Sequence, residues 1–233
     1  MQTETTGTEA ASRRGLVFTT VLFDLDGTIL DTNELIIQSF LHALRGVVPP
    51  DFGREQIISL MGQPLILQLR AFSGREEVSD LVRAYREYNL ARHDQMVRLF
   101  PGVSETLDVL KRSGVRMGVV TSKMRETSER ALKLLDLMDK FDVLVPVDEV
   151  THPKPHPEPV QKAMQALGAE PARTLMVGDS PADMEAALRA GAVPAGVAWS
   201  LKGEAKLREA GAVHLLERME DLPALCGIEV AQA

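Results

Sequence analysis

The feature that most constrains this chain is a recurring short apolar run whose last residues are acids or hydroxyls. TTVLFDLDG (19–27) ends in acids and glycine and reads as a buried strand. VRMGVVTS (115–122) repeats the pattern, DVLVPV (142–147) repeats it more weakly, and TLMVGDS (174–180) repeats it strongly. VPAGVAW (193–199) is expected as a fifth strand. Helical stretches separate them: VSETLDVLKRSG, RETSERALKLLDL, PEPVQKAMQALG and PADMEAALRAG, three of them ending near glycine. Strand and helix in alternation predict an α/β protein with a parallel sheet covered on both faces.

Residues 31–98 break that alternation. NELIIQSFLHALRG, REQIISLMG, PLILQLRAF and REEVSDLVRAYREYNLARHDQM all read as helices, with no strand among them. A helical insert directly after the first strand is expected to lie as a lid over the C-terminal edge of the sheet, where open α/β sheets bind ligands. The expected organisation is a core of residues 16–30 and 99–233 with a helical cap at 31–98. Residues 1–15 are polar and aperiodic, unlike a signal peptide, and are expected to be a disordered extension.

A net charge of −7 argues against a nucleic-acid or membrane-surface partner, since both favour a basic face. It leaves room for a small anionic substrate, because a metal ion or a few local cations reverse the field in one pocket. No run approaches the ~18 apolar residues of a membrane span. Cys226 is the only cysteine, so no internal disulfide can form. A cytoplasmic protein, monomeric or weakly homodimeric, is expected.

The chemistry gathers where strands end. Asp24 and Asp26 lie two apart, and the period of a strand points both carboxylates the same way. Two acids crowded there are costly unless a cation joins them, although DxDG also reads as a simple turn. Thr121 and Ser122 close the second strand; their hydroxyls suit phosphoryl oxygens, or equally the start of the next helix. Asp179 and Asp183 follow the fourth strand. Ser180, Pro181 and Asp183 fit an acidic capping box, which explains Asp183 without a ligand but does not explain Asp179.

Three carboxylates from two strand ends suit a hard cation with oxygen ligands, most simply Mg²⁺. Zn²⁺ is disfavoured there for want of a Cys/His cluster. His152 and His156 are four apart, but alternating prolines preclude a helix face, so they are read as non-ligands. Within THPKPHPEPV (151–160) the prolines remove backbone freedom on both sides of Lys154. That rigidity suits a fixed counter-charge for a phosphorylated substrate better than it suits a linker.

FDLDGT, VVTSK, KPHPEP and VGDSPADM, in this order, resemble the four motifs of the haloacid dehalogenase superfamily of phosphatases, and the likeness runs over residues 19–220. The resemblance implies a Rossmann-like core with a helical cap. It implies Asp24 as nucleophile, Asp26 as general acid/base, and Thr121, Ser122 and Lys154 as phosphate-binding residues. It further implies Mg²⁺ held by Asp24, the Asp26 backbone carbonyl and Asp179, with Asp183 assisting through water. Dehalogenases of the superfamily lack the second aspartate, which is present here. Phosphonoacetaldehyde hydrolases need a cap lysine, and residues 31–98 contain none.

LFDLDGTILDTNELIIQSFLHAL, VVTSKMRET, KPHPEPVQKA and AGVAWSLKG look like the PpaX-type inorganic pyrophosphatases of that superfamily. The implied reaction is diphosphate hydrolysis, with phosphoglycolate phosphatase or another small-metabolite phosphatase as the alternative and a phosphomutase behind both. Substrate choice then falls to the cap. Asn33 and Glu34 open its first helix beside the site, Arg45, Arg54, Arg70 or Arg75 could reach inward, and Gly62 in LMGQP reads as a loop facing the core or equally as a plain helix break.

Overall fold

The computed structural model describes residues 15–229. The expectation of a disordered extension therefore falls, but for Gly15, outside the described residues.

Among the described residues, eight strands and ten α-helices follow in chain order. β1 (Thr20–Phe23) and β2 (Leu30–Asp31) lead into α1 (Asn33–Ala43), α2 (Arg54–Leu60), α3 (Leu65–Ser73) and α4 (Ser79–Met96). β3 (Arg98–Leu99), α5 (Val103–Arg112), β4 (Arg116–Val120), α6 (Arg125–Leu134) and β5 (Val143–Val145) come next. α7 (Glu158–Leu167), β6 (Thr174–Gly178), α8 (Pro181–Ala190), β7 (Val193–Val197), α9 (Glu204–Glu209), β8 (His214–Leu216) and α10 (Leu222–Leu225) complete the described chain.

Six strands form one sheet in the order β5-β4-β1-β6-β7-β8, with every pair parallel. β1 lies inside the sheet between β4 and β6, which is why all four of its residues are buried. Its side chains alternate between two cores. Val21 and Phe23 pack with α5 residues Leu107 and Leu110 and with Leu132 of α6, whereas Leu22 packs with Val160 and Met164 of α7 and Ala187 of α8. β6 repeats this, Leu175 and Val177 facing one core and Met176 the other. Burial on both faces explains why these strands read as unbroken apolar runs. β8 was not foreseen; at three residues it is too short to show a period.

The insert forms a cluster of its own. Ile37 and Phe40 of α1 and Leu44 just beyond it pack with Ile57, Leu69, Val78 and Leu81, and Phe40 meets Phe72 edge-on at 5.4 Å. The chain enters and leaves it through β2 and β3, an antiparallel pair in which Leu30 faces Leu99 and Asp31 faces Arg98. That pair corrects the reading of 31–98 as strand-free: two residues per strand carry no periodic signal. No helix among the described residues is long and apolar enough to cross a membrane.

Candidate active site

The C-terminal ends of β1, β4 and β6 converge. The Asp24 N–H donates to the Val177 carbonyl at 2.9 Å, so Asp24 extends the β1–β6 ladder by one residue. Beyond it the chain turns tightly, with the Gly27 N–H donating to the Leu30 carbonyl at 2.8 Å. Gly27 has φ +86°, and a Cβ there would lie 2.6 Å from Asp179 Oδ2. Only glycine satisfies both the turn and that close approach. DxDG is thus a turn, as the plainer reading held, and it is also a wall of the site.

Lys154 reaches this cluster from the loop between β5 and α7, where the Lys154–Pro155 peptide is cis. Its ammonium donates to Asp24 Oδ1 at 2.9 Å, Asp183 Oδ1 at 2.6 Å and the Val120 carbonyl at 3.0 Å. Three acceptors use all three of its N–H groups. Burial works against its charge, but Asp183 and Asp24 outweigh burial and hold its pKa above the ordinary lysine value.

Asp183 resolves its two readings by doing both. Oδ2 accepts from the Ser180 N–H at 3.0 Å and the Ser180 hydroxyl at 2.6 Å, closing the capping box of α8, while Oδ1 receives Lys154. Asp179 is different. It is buried and its Oδ1 has no hydrogen-bond partner. Burial first, then Asp24 and Asp183, push its carboxyl well above the usual range. Burial likewise raises Asp24 to about 7, with Lys154 opposing and Asp183 adding to the rise.

Carboxylate oxygens of Asp24, Asp179 and Asp183 lie within 4.8 Å of one another. Fully ionised, they and Lys154 sum to −3 + 1 = −2, buried. That deficit, the all-oxygen donor set and the orphaned Asp179 Oδ1 fit a hard divalent cation such as Mg²⁺.

Asp26 faces the same cavity but has separate partners. Lys123 Nζ lies 3.1 and 3.0 Å from its two oxygens, and the Thr32 hydroxyl donates to Oδ1 at 2.8 Å. Lys123 and Thr32 were missed as individual site residues; the signal for Lys123 was a cation directly after a strand-end hydroxyl pair. Thr121 is buried, accepts the Lys123 N–H at 3.2 Å, and keeps its own proton available. Ser122 is less available than the sequence suggested, because its hydroxyl donates to the Gly62 carbonyl at 2.8 Å.

That contact places the insert directly on the site. Gly62 has φ +94°, and a Cβ there would come within 3.0 Å of Ser180. Lys202, whose pKa burial lowers, holds the Met61 carbonyl from the core side. Beneath the insert lies a cavity of about 390 Å³, floored by Asp24, Asp26, Asp179 and Thr121 and walled by Phe40, Leu65, Tyr85 and Arg86 among others.

The suggested cap residues fare less well. Glu34 pairs with Arg54 on the exposed surface, Arg75 pairs with Asp80 at 2.8 Å, and Arg70 donates to the Glu76 carbonyl at 2.9 Å. None of these, nor Arg45, lines the cavity; the insert's arginine there is Arg86, on α4. Asn33 is buried with its Oδ1 unpaired, yet it too lies outside the cavity lining. Helical spacing names a face without saying which face meets the core.

The family model for haloacid dehalogenase-like hydrolases matches residues 21–197. The chain belongs to that family. Among its relatives, the pyrophosphatase PpaX of Bacillus velezensis is 43% identical over 213 residues, covering 91% of this chain and 97% of its own length. PpaX of Bacillus cereus is 45% identical over 203 residues, covering 87% and 94%. Among solved structures, a haloacid dehalogenase-like hydrolase from Bacteroides fragilis matches with a TM-score of 0.80 at 26% identity, over 88% of this chain and 99% of that one. The acids and cations described above sit at the strand ends of this chain's parallel sheet, beneath a helical insert.

Proposed function

We propose that the protein is a Mg²⁺-dependent inorganic pyrophosphatase working through an aspartyl phosphate on Asp24. The observation that carries the substrate is the 43–45% identity to pyrophosphatases across nearly their whole length. The chemistry is supported by Asp24, held by Lys154 where β1 meets the cavity.

In the first step a carboxylate oxygen of Asp24 forms a bond to one phosphorus of diphosphate, and the bridging P–O bond breaks. Lys154 holds Asp24 in place and offsets its charge, and the Thr121 hydroxyl donates a hydrogen bond to the transferring group. Asp26 supplies a proton to the departing phosphate. In the second step Asp26 removes a proton from water, whose oxygen bonds to phosphorus as the Asp24–phosphorus linkage opens, releasing the second phosphate. Asp24, Asp179 and the Asp26 carbonyl, with Asp183 assisting through water, would hold Mg²⁺, which when bound supplies charge neutralisation for the transferring phosphoryl group. Arg86 is the cation lining the cavity for the distal phosphate, while Lys123, which lines it too, holds Asp26. The setting proposed is the cytoplasm.

One observation favours a second reading. Ile36, Phe40, Leu65 and Ile66 line the same cavity and offer diphosphate nothing, whereas they suit the carbon body of a small phosphomonoester. Phosphate release with Mg²⁺, comparing kcat/KM for diphosphate and phosphoglycolate with Asp24→Asn as the blank, separates the two. Diphosphate ahead by about tenfold, ~1.4 kcal/mol in transition-state binding, supports the pyrophosphatase. Phosphoglycolate ahead overturns the substrate and keeps the chemistry.

A further inference from the structure

The loop that carries Lys154 has an outer face that this reaction does not use. On it lie His152, His156 and Glu158, and one donor atom from each falls within 4.8 Å of the other two. These histidines were set aside because prolines deny them a helix face. The structure brings them together by another route: the turn folds both onto one side, with ring centroids 4.6 Å apart and planes at 34°. Glu158 closes the turn. Its Oε1 accepts the Thr151 N–H at 2.7 Å, and its Oε2 accepts the His152 N–H at 2.9 Å and lies 3.0 Å from His152 Nδ1.

We propose that His152, His156 and Glu158 form a surface site for a Zn²⁺ ion, distinct from the buried carboxylate cluster. Two imidazoles and one carboxylate, with a fourth position open to water, are a donor set for Zn²⁺ and a poor one for Mg²⁺. The His152–Glu158 spacing of 3.0 Å needs to open only to about 3.4 Å for two ligands to share a tetrahedral ion through bonds of ~2.1 Å. His156 must swing, giving up a 3.2 Å bond in which its Nδ1 accepts the Glu158 N–H. Its ring is exposed and free to do so, and the His152 side chain is 61% exposed, which leaves the ion a path in. The backbone need not move, because Pro153, Pro155 and Pro157 limit it already.

Location gives the site its consequence. Lys154 points inward from this short loop to Asp24 and Asp183 while the three ligands face solvent, so a bound ion tethers from outside the loop that positions the buried ammonium. The site stands whichever phosphorylated compound the enzyme hydrolyses.

Calorimetric titration of the full chain with Zn²⁺, in excess Mg²⁺ to keep the carboxylate cluster occupied, tests this. One equivalent should bind to the wild type and to Asp179→Asn, and binding should weaken by about tenfold or more in His152→Ala and in His156→Ala. Hydrogen exchange over residues 151–158 should slow on Zn²⁺ addition in the wild type and not in His152→Ala. Absence of binding, wild-type affinity in both histidine variants, or loss of binding only in Asp179→Asn would overturn the site.

Discussion

Lys154 Nζ stands 2.9 Å from Asp24 Oδ1, and the two side chains retain only 2% and 6% of their exposure. An ion pair this buried costs desolvation on both partners and is a weak source of stability in itself. Breaking it from one side is another matter. Lys154→Met leaves Asp24 and Asp183 buried without their counter-charge, and should destabilise the protein by about 3–5 kcal/mol. Chemical denaturation of the metal-free protein measures this; a loss under ~1 kcal/mol would mean that water or a rearranged cation replaces the lysine.

Asp179 should behave in the opposite sense. Its carboxylate meets Asp24 and Asp183 and has no partner at Oδ1, so without metal it is a burden. Asp179→Asn should raise the metal-free Tm at neutral pH by a few degrees and abolish the Tm increase that Mg²⁺ gives the wild type. A lower metal-free Tm would contradict a net repulsion at Asp179.

The same cluster sets a pH dependence. The folded pKa of Asp24 is raised from 3.8 to about 7, and that of Asp179 is raised as well. Between these values the folded metal-free protein retains protons that the unfolded chain has lost. Stability therefore falls as pH rises from about 4 towards 7. With chelator present, Tm should decline across that window, and Mg²⁺ should restore it most at the upper end. A flat profile with chelator would show that the cluster is hydrated or otherwise compensated.

Lys123 holds both oxygens of Asp26, which places the proposed acid/base without contacting phosphorus in this arrangement. Lys123→Met should lower kcat by about 10- to 100-fold, the scale of misplacing a reacting group, while circular dichroism stays native. An unchanged kcat would assign the placement of Asp26 to Thr32 alone.

Asp26→Asn distinguishes leaving groups. General acid catalysis is typically worth ~10² to 10⁴-fold, and phosphate leaves more readily than an alkoxide. The first step should therefore slow less with diphosphate than with an alkyl phosphate, and breakdown of the aspartyl phosphate should slow equally with both. Single-turnover kinetics giving equal losses in the first step would refute this assignment of roles.

Much of this arrangement was legible in the sequence because strand ends have few options. A buried parallel strand must be apolar on both faces, so Val21, Leu22 and Phe23 announce it. An acid or hydroxyl just beyond such a strand, as at Asp24, Thr121 and Asp179, has nowhere to lie but the C-terminal edge of the sheet. Prolines around Lys154 announced a held cation for the same local reason. Local chemistry also offered, each as one of two readings, the capping role of Asp183 and the loop role of Gly62.

What tertiary structure alone decided are the pairings across long separations in the chain. Lys123 meets Asp26 across 97 residues, Ser122 meets Gly62 across 60, and Lys154 meets Asp24 across 130. The sequence also could not choose among the cap arginines, since Arg54 and Arg75 find surface carboxylates while Arg86 lines the cavity. It set His152 and His156 apart because it measured their spacing along a helix, and only the folded turn brings them to Glu158. Local preferences act over a few residues, whereas the rotation of a helix about its axis and the partner of a charge are settled by packing of the whole chain.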